Sequence, residues 1–212
     1  MAYRTAIVAL DAVADCMIGE MKVAPLVIIT PRLRLRQFRR EDAEPFCAMT
    51  ADPTVMEFFP NVLSREESHA TILRIRDEFQ RRGFGVYALE AQGEFAGIVG
   101  LNVPEFQARF TPCVEILWRL VQSFWGRGLA SEAAAAVLTM AFQELQLPEV
   151  LAFAAVGNVR SIKVMERIGM RRDLAGDFDH PCVGEPRFKR HVLYRVSPAG
   201  AVDRIPPERV DG

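Results

Sequence analysis

An α/β fold, a mixed sheet with helices on both faces, is what the order of elements in this 212-residue chain predicts. Three observations carry it. An alternating strand pattern and two helical patterns come first, three closely spaced strand patterns follow, and the C-terminal half then alternates helix with strand.

The elements follow from local chemistry. Arg32 to Phe38 alternates polar and apolar residues, as a strand does, and "RREDAEPFCAM" reads as a short helix. Ser64 and Glu67 have the spacing of a capping box; Ile72, Ile75 and Phe79 then recur at helical spacing until Gly83. Val86 to Ala91 and Phe95 to Val103 are apolar runs separated by "QGE", a hairpin signal, and Val114 to Val121 supplies a further strand. A long helix precedes Pro148, Val150 to Val156 is a buried strand, and "NVRSIKVMERIGM" is a helix starting at Asn158 and closed by Gly169. A last strand spans His191 to Val196.

Composition narrows the function classes. With 50% hydrophobic and 25% charged residues, the chain suits one soluble domain with a full core. The net charge of -1 points to neither nucleic acid nor an anionic membrane as a partner. Arg32, Arg34 and Arg36 recur at strand spacing and are expected on one solvated face. The longest apolar run, Ala133 to Phe142, is far short of the roughly 20 residues a bilayer requires. Cys16, Cys47, Cys113 and Cys182 form no C-x-x-C pair, so no metal is expected and idle thiols in the cytoplasm are. "MAYRTAIVALDAVAD" mimics a secretory leader, but Asp11 interrupts its apolar run. Met21 is an alternative start, which makes residues 1–22 an extension, 23–197 the domain and 198–212 a poorly ordered tail.

The stretch "FWGRGLASEA", Phe124 to Ala133, feeds the long helix with a glycine-rich turn. Such a turn presents unpaired N–H groups and the positive end of a helix dipole to a phosphate; an ordinary tight strand-to-helix turn has the same composition. Its place after four strand patterns disfavours a dinucleotide fingerprint, and Gly-Leu-Ala where a Walker loop needs G-K-[ST] disfavours that class too.

Four stretches in order, "TPRLRLRQFRREDAEPF", "DPTVMEFFP", "VEILWRLVQSFWGRGLASEA" and "NVRSIKVMERIGM", resemble the GNAT superfamily of N-acetyltransferases, in the branch typified by ribosomal-protein N-terminal acetylases. The closing "DHP…RHVLYRV" is similar to that branch's final hairpin. The resemblance implies a mostly antiparallel sheet with one splayed parallel strand pair, acetyl-coenzyme A as co-substrate, and a peptide or small-molecule amine as acceptor. It implies a coenzyme diphosphate held at Gly126, Arg127, Gly128, Ala130 and Ser131, and a pantetheine arm paired with the strand backbone at Trp118 and Leu120. Trp125 stands where the wider superfamily has Gln or Arg, Leu117 where glycine is frequent, and Gln122 where proline is frequent.

For the chemistry, Glu115 either takes the amine proton, directly or through water, or pairs with Arg119 on the same face. Ser161 matches the branch's thiolate-protonating hydroxyl, in a helix without tyrosine. Asn158 either contacts the coenzyme or caps the helix. Phe58 and Phe59 either line the acceptor pocket or plug the helix after Ser64. His180 and His191 lack a spaced ligand set and read as structural. The leading expectation is an N-acetyltransferase, monomeric or homodimeric; the alternative is a non-catalytic acyl-coenzyme A sensor of the same fold.

Overall fold

Most of the sheet is laid down by neighbours in sequence. In this computed structural model, which describes residues 23–201, β1 (Val27–Ile29), β2 (Leu33–Arg36), β3 (Val86–Ala91), β4 (Glu94–Asn102) and β5 (Glu115–Leu120) pair successively, all antiparallel. β6 (Val150–Ala155) runs parallel to β5, and the two share one register pair, Glu115↔Leu151. Two short strands, β7 (Arg171–Arg172) and β8 (Phe178–Asp179), and the longer β9 (Arg190–Val196) complete the sheet, with β9 antiparallel to β6, β7 and β8. The predicted architecture is therefore present: mostly antiparallel, with one parallel pair that separates after its first residues.

Helices cover both faces. α1 (Ala43–Ala51) and α2 (Arg65–Arg82) pack on one face around Phe38, Phe46, Ile72, Ile75 and Ile98; α3 (Leu129–Gln143) and α4 (Val159–Arg167) pack on the other around Val99, Ala134, Val137 and Met165. α2 begins as its sequence predicts. The Ser64 hydroxyl accepts from the Glu67 N–H at 3.1 Å, and the Glu67 carboxylate accepts from the Ser64 N–H at 2.7 Å. Short helices α5 (Pro186–Lys189) and α6 (Pro198–Ala201) flank β9, so the segment expected to be a loose tail begins with a helical turn.

Strand alternation sorts β5 into two sides. Ile116, Trp118 and Leu120 face α3, whereas Leu117, and with it Glu115 and Arg119, faces the α1–α2 side. β4 approaches closely because of Gly97, at φ 145°, where an added Cβ would lie 2.2 Å from the Arg119 carbonyl oxygen.

One expectation fails. Arg32 and Arg34 are exposed, but Arg36 is buried. Its guanidinium donates to both Asp42 carboxylate oxygens, at 2.7 and 2.9 Å, and to Glu90 at 2.8 Å. The turn Arg40–Asp42 and β3 bring these acids over the end of β2, and two carboxylates compensate a buried charge that strand periodicity alone assigns to solvent. The pattern also left β1, β7 and β8 unread, since two or three residues carry no measurable period. The leader-like segment, Met21, Cys16 and residues 202–212 lie outside the described residues. Among the described residues no helix is long and apolar enough to cross a membrane.

Candidate active site

The separation of β5 from β6 leaves one edge of β5 without a strand partner. The Val121 N–H donates to the Ala96 carbonyl at 3.0 Å, which fixes the phase of the β4–β5 ladder. Alternate residues of an antiparallel strand point at the partner, so Arg119 and Leu117 turn their main-chain groups toward β4, and Trp118 and Leu120 turn theirs into the gap. The Leu120 carbonyl accepts from the Trp125 indole N–H at 2.8 Å, which leaves the main chain of Trp118 and the Leu120 N–H facing the gap. Trp125, which stands where the wider superfamily has Gln or Arg, is thus the pin that holds the following turn against β5.

That turn opens α3 with two left-handed glycines. Gly128 is the N-cap of α3 at φ 77°, and Gly126 has φ 74°. The first intrahelical bond is the 3.1 Å contact from the Glu132 N–H to the Gly128 carbonyl, so the N–H groups of Leu129, Ala130 and Ser131 precede the ladder. Arg32 braces the turn from behind: its Nη1 donates to the Arg127 carbonyl at 2.8 Å and its Nε to Glu132 at 2.6 Å. A Cβ on Gly128 would meet only the Arg32 guanidinium, at 3.6 Å. The Ser131 hydroxyl is buried with no hydrogen-bond partner among the described residues, a polar atom that a bound phosphate oxygen would satisfy.

Glu115 stands at the closed end of the gap, 8% exposed, and accepts from the Asn102 side-chain amide at 2.7 Å. Burial pushes its carboxyl up to about 7, against the opposing pull of that hydrogen bond. No ion pair joins it to Arg119 among the described residues. Four residues of strand separate their Cα atoms by about 13 Å. The Arg119 guanidinium instead lies 3.9 Å from the centre of the Phe59 ring.

α4 opens at the other side of the gap. The Asn158 side-chain oxygen accepts from the Ser161 N–H at 3.1 Å, so Asn158 is the helix cap. The Ser161 hydroxyl is half-buried and has no hydrogen-bond partner among the described residues. Above it, Arg160 pairs with Glu57 at 2.5 Å and lies over the Trp125 ring at 4.5 Å. Phe58 packs edge-on to Phe188 and would touch a Cβ placed on Gly157 at 3.5 Å. Phe58 and Phe59 therefore make contacts with the start of α4, α5 and β5.

The sequence reading missed an aromatic wall on the same face of the sheet. Phe106 and Phe110 from the β4–β5 loop, Phe153 of β6 and Phe178 of β8 surround His180 and His191, whose rings are 5.0 Å apart. Burial lowers both imidazoles, His180 to about 4, with the neighbouring His191 adding to the effect on His180. His191 Nδ1 lies 3.1 Å from the Lys189 carbonyl, and His180 Nδ1 accepts from the Cys182 N–H at 3.2 Å. Beside this wall, a cavity of about 530 Å³ opens between residues 107–110 and 173–181, lined by Phe110, Phe178, Asp177 and Arg195 among others.

A family model described as an acetyltransferase (GNAT) domain matches residues 32–171. The chain belongs to the GNAT acetyltransferase family. It is 32% identical over 148 residues to the uncharacterised protein YkkB of Bacillus subtilis strain 168, covering 68% of this chain and 84% of YkkB. A GNAT-family acetyltransferase structure from Bacillus anthracis superposes with a TM-score of 0.67 at 26% identity, covering 81% of this chain and 98% of the other. The ribosomal L7/L12 α-N-protein acetyltransferase RimL, solved in complex with coenzyme A, shares the fold with a TM-score of 0.66 at 19% identity, covering 83% of this chain and 98% of RimL.

Proposed function

We propose that this protein transfers the acetyl group of acetyl-coenzyme A directly to a primary amine of a peptide or small molecule. The observation that carries the reading is the gap between β5 and β6, closed at Glu115 and open toward the anion-ready turn at the start of α3. The coenzyme, when bound, supplies an acyl group activated as a thioester. The unpaired Ser131 hydroxyl and the N–H groups of Gly126 to Ser131 suit its diphosphate, and Arg127 adds a cation at the same turn. The Trp118 and Leu120 main chain suits its pantetheine amides.

The remaining chemistry is proton movement. An amine attacks the thioester carbon only with its lone pair free, and the departing thiolate needs a proton. Glu115, held in an apolar setting with its carboxyl near neutrality, is a base matched to that task, directly or through a water. The Ser161 hydroxyl, on the helix across the gap, is the donor to the thiolate. Asn158 contributes through the cap that orients the first turn of α4. Phe58 and Phe59 form the acceptor-side wall opposite the coenzyme.

Coenzyme release from acetyl-coenzyme A, followed with a panel of amines, tests the reading. Turnover with at least one amine, lowered about 10²- to 10⁴-fold by Glu115→Gln, is the expected result. Tight coenzyme A binding with no turnover on any amine would instead identify an acyl-coenzyme A sensor.

A further inference from the structure

A guanidinium buried without a counter-ion is costly, because water is lost and nothing replaces it. Three arginines near the cleft have carboxylate partners: Arg160 has Glu57, Arg190 has Asp179, and Arg195 has both Asp173 and Glu149. Arg119 does not. It is half-buried, with its Nε enclosed and without a hydrogen-bond partner among the described residues, and no described carboxylate offsets the burial that draws its pKa down to about 10. Its guanidinium lies over the Phe59 ring, 3.9 Å away and itself 38% exposed.

This arrangement has a chemical direction. A guanidinium stacked on an aromatic face keeps its N–H donors in the ring-parallel plane, where they match the two oxygens of a carboxylate. One cation fits a monoanion better than a phosphate dianion. Arg119 also projects from the same face of β5 as Glu115, on the side away from α3 and its glycine turn.

We propose that Arg119 anchors a carboxylate of the acceptor, and that the acceptor is an amine of the short-peptide or ω-amino-acid class. The proposal rests on the acetyl-transfer reading above, which assigns the amine to the Glu115 end. Glu115 and Arg119 are about 13 Å apart along the strand, so amine and carboxylate are separated by several bonds and a simple α-amino acid is too short. The anchor sets substrate preference; it takes no part in proton transfer.

The test compares alanyl-alanyl-alanine with its C-terminal amide, which has the same amine and nearly the same size. In the unmodified protein the free acid has a kcat/KM at least about tenfold above the amide, the scale of one charge-assisted hydrogen-bonded pair. Arg119→Gln removes that difference through the acceptor KM and leaves the KM of acetyl-coenzyme A unchanged; Arg119→Lys restores part of it. Equal kinetics for acid and amide in the unmodified protein overturn the proposal. So does an Arg119→Gln effect confined to acetyl-coenzyme A, which assigns the guanidinium to the coenzyme's phosphates. Calorimetry with both tripeptides separates the two layers. A preference for the acid that depends on Arg119, in a protein without turnover, keeps the anchor and rejects the acetyltransferase; no binding of the acid rejects the anchor.

Discussion

Glu115→Gln is the sharpest perturbation, because the proposed base and the most shifted buried carboxyl are the same group. The substitution keeps shape and leaves a side-chain oxygen for the Asn102 amide, so it removes the titration and little else. With the carboxyl pushed up to about 7, the base is protonated below neutrality, and kcat/KM falls about tenfold per pH unit there. In Glu115→Gln that limb gives way to one set by the acceptor amine's own deprotonation, about 8 for a peptide N-terminus, and the rate at neutral pH drops by about 10²- to 10⁴-fold. For stability the sign is opposite to that of an ion-paired acid. Between the ordinary 4.5 and about 7 the folded state keeps a proton that the unfolded state has released, so stability falls as pH rises through this window and levels off above it. The difference between the two values corresponds to about 3 kcal/mol. Urea unfolding at about pH 5 and about pH 8, for both proteins, isolates the effect: the unmodified protein loses about 3 kcal/mol more than Glu115→Gln on going to the higher pH. Identical pH dependences in rate and in stability would refute the assignment of a buried, titrating carboxyl at this position.

Four further outcomes follow from the same geometry. Gly128→Val leaves the protein folded, since its Cβ meets only Arg32 at 3.6 Å and the left-handed φ costs about 1–2 kcal/mol; coenzyme A binding by calorimetry weakens by about 2 kcal/mol or more as main-chain hydrogen bonds are lost. Arg36→Met strands Asp42 in the interior and lowers the urea-derived unfolding free energy by about 3–5 kcal/mol, whereas Arg34→Met changes it by less than about 0.5 kcal/mol. Phe59→Ala raises the acceptor KM and spares that of acetyl-coenzyme A, because the ring faces Arg119 and lies outside the α3 turn; equal effects on both in steady-state kinetics would remove it from the acceptor wall. Ser161→Ala lowers kcat while keeping the acid limb attributed to Glu115, a separation read from the pH profile of the single variant.

What the sequence made legible divides by the range of the interaction. The α2 cap, its buried stripe and the β3–β4 hairpin depend on residues within a few positions of one another, and all three are present. The glycine turn was also legible, because φ above zero at Gly126 and Gly128 is a backbone demand written into the residue type. Arg36 was misread for the converse reason. Its fate depends on Glu90, 54 positions away, and period-two alternation contains no information about a counter-charge arriving from another strand.

The candidate site is harder still, because its parts are contributed one or two at a time. Asn102 and Glu115 are neighbours only through the β4–β5 register, and His180 and His191 only because β8 folds back on β9. Phe106, Phe110, Phe153 and Phe178 come from three separated segments, and each alone has the composition of an ordinary core residue. Arg119 illustrates the limit most clearly. In the sequence it is the natural partner of Glu115, four positions back on the same face. A strand holds those positions about 13 Å apart, and a phenylalanine from a loop 60 residues upstream takes the place of the acid. Polar groups that would pair in a helix at this spacing are kept apart in a strand, and a site that needs a base at one end and an open cation at the other can use that separation without the two neutralising each other.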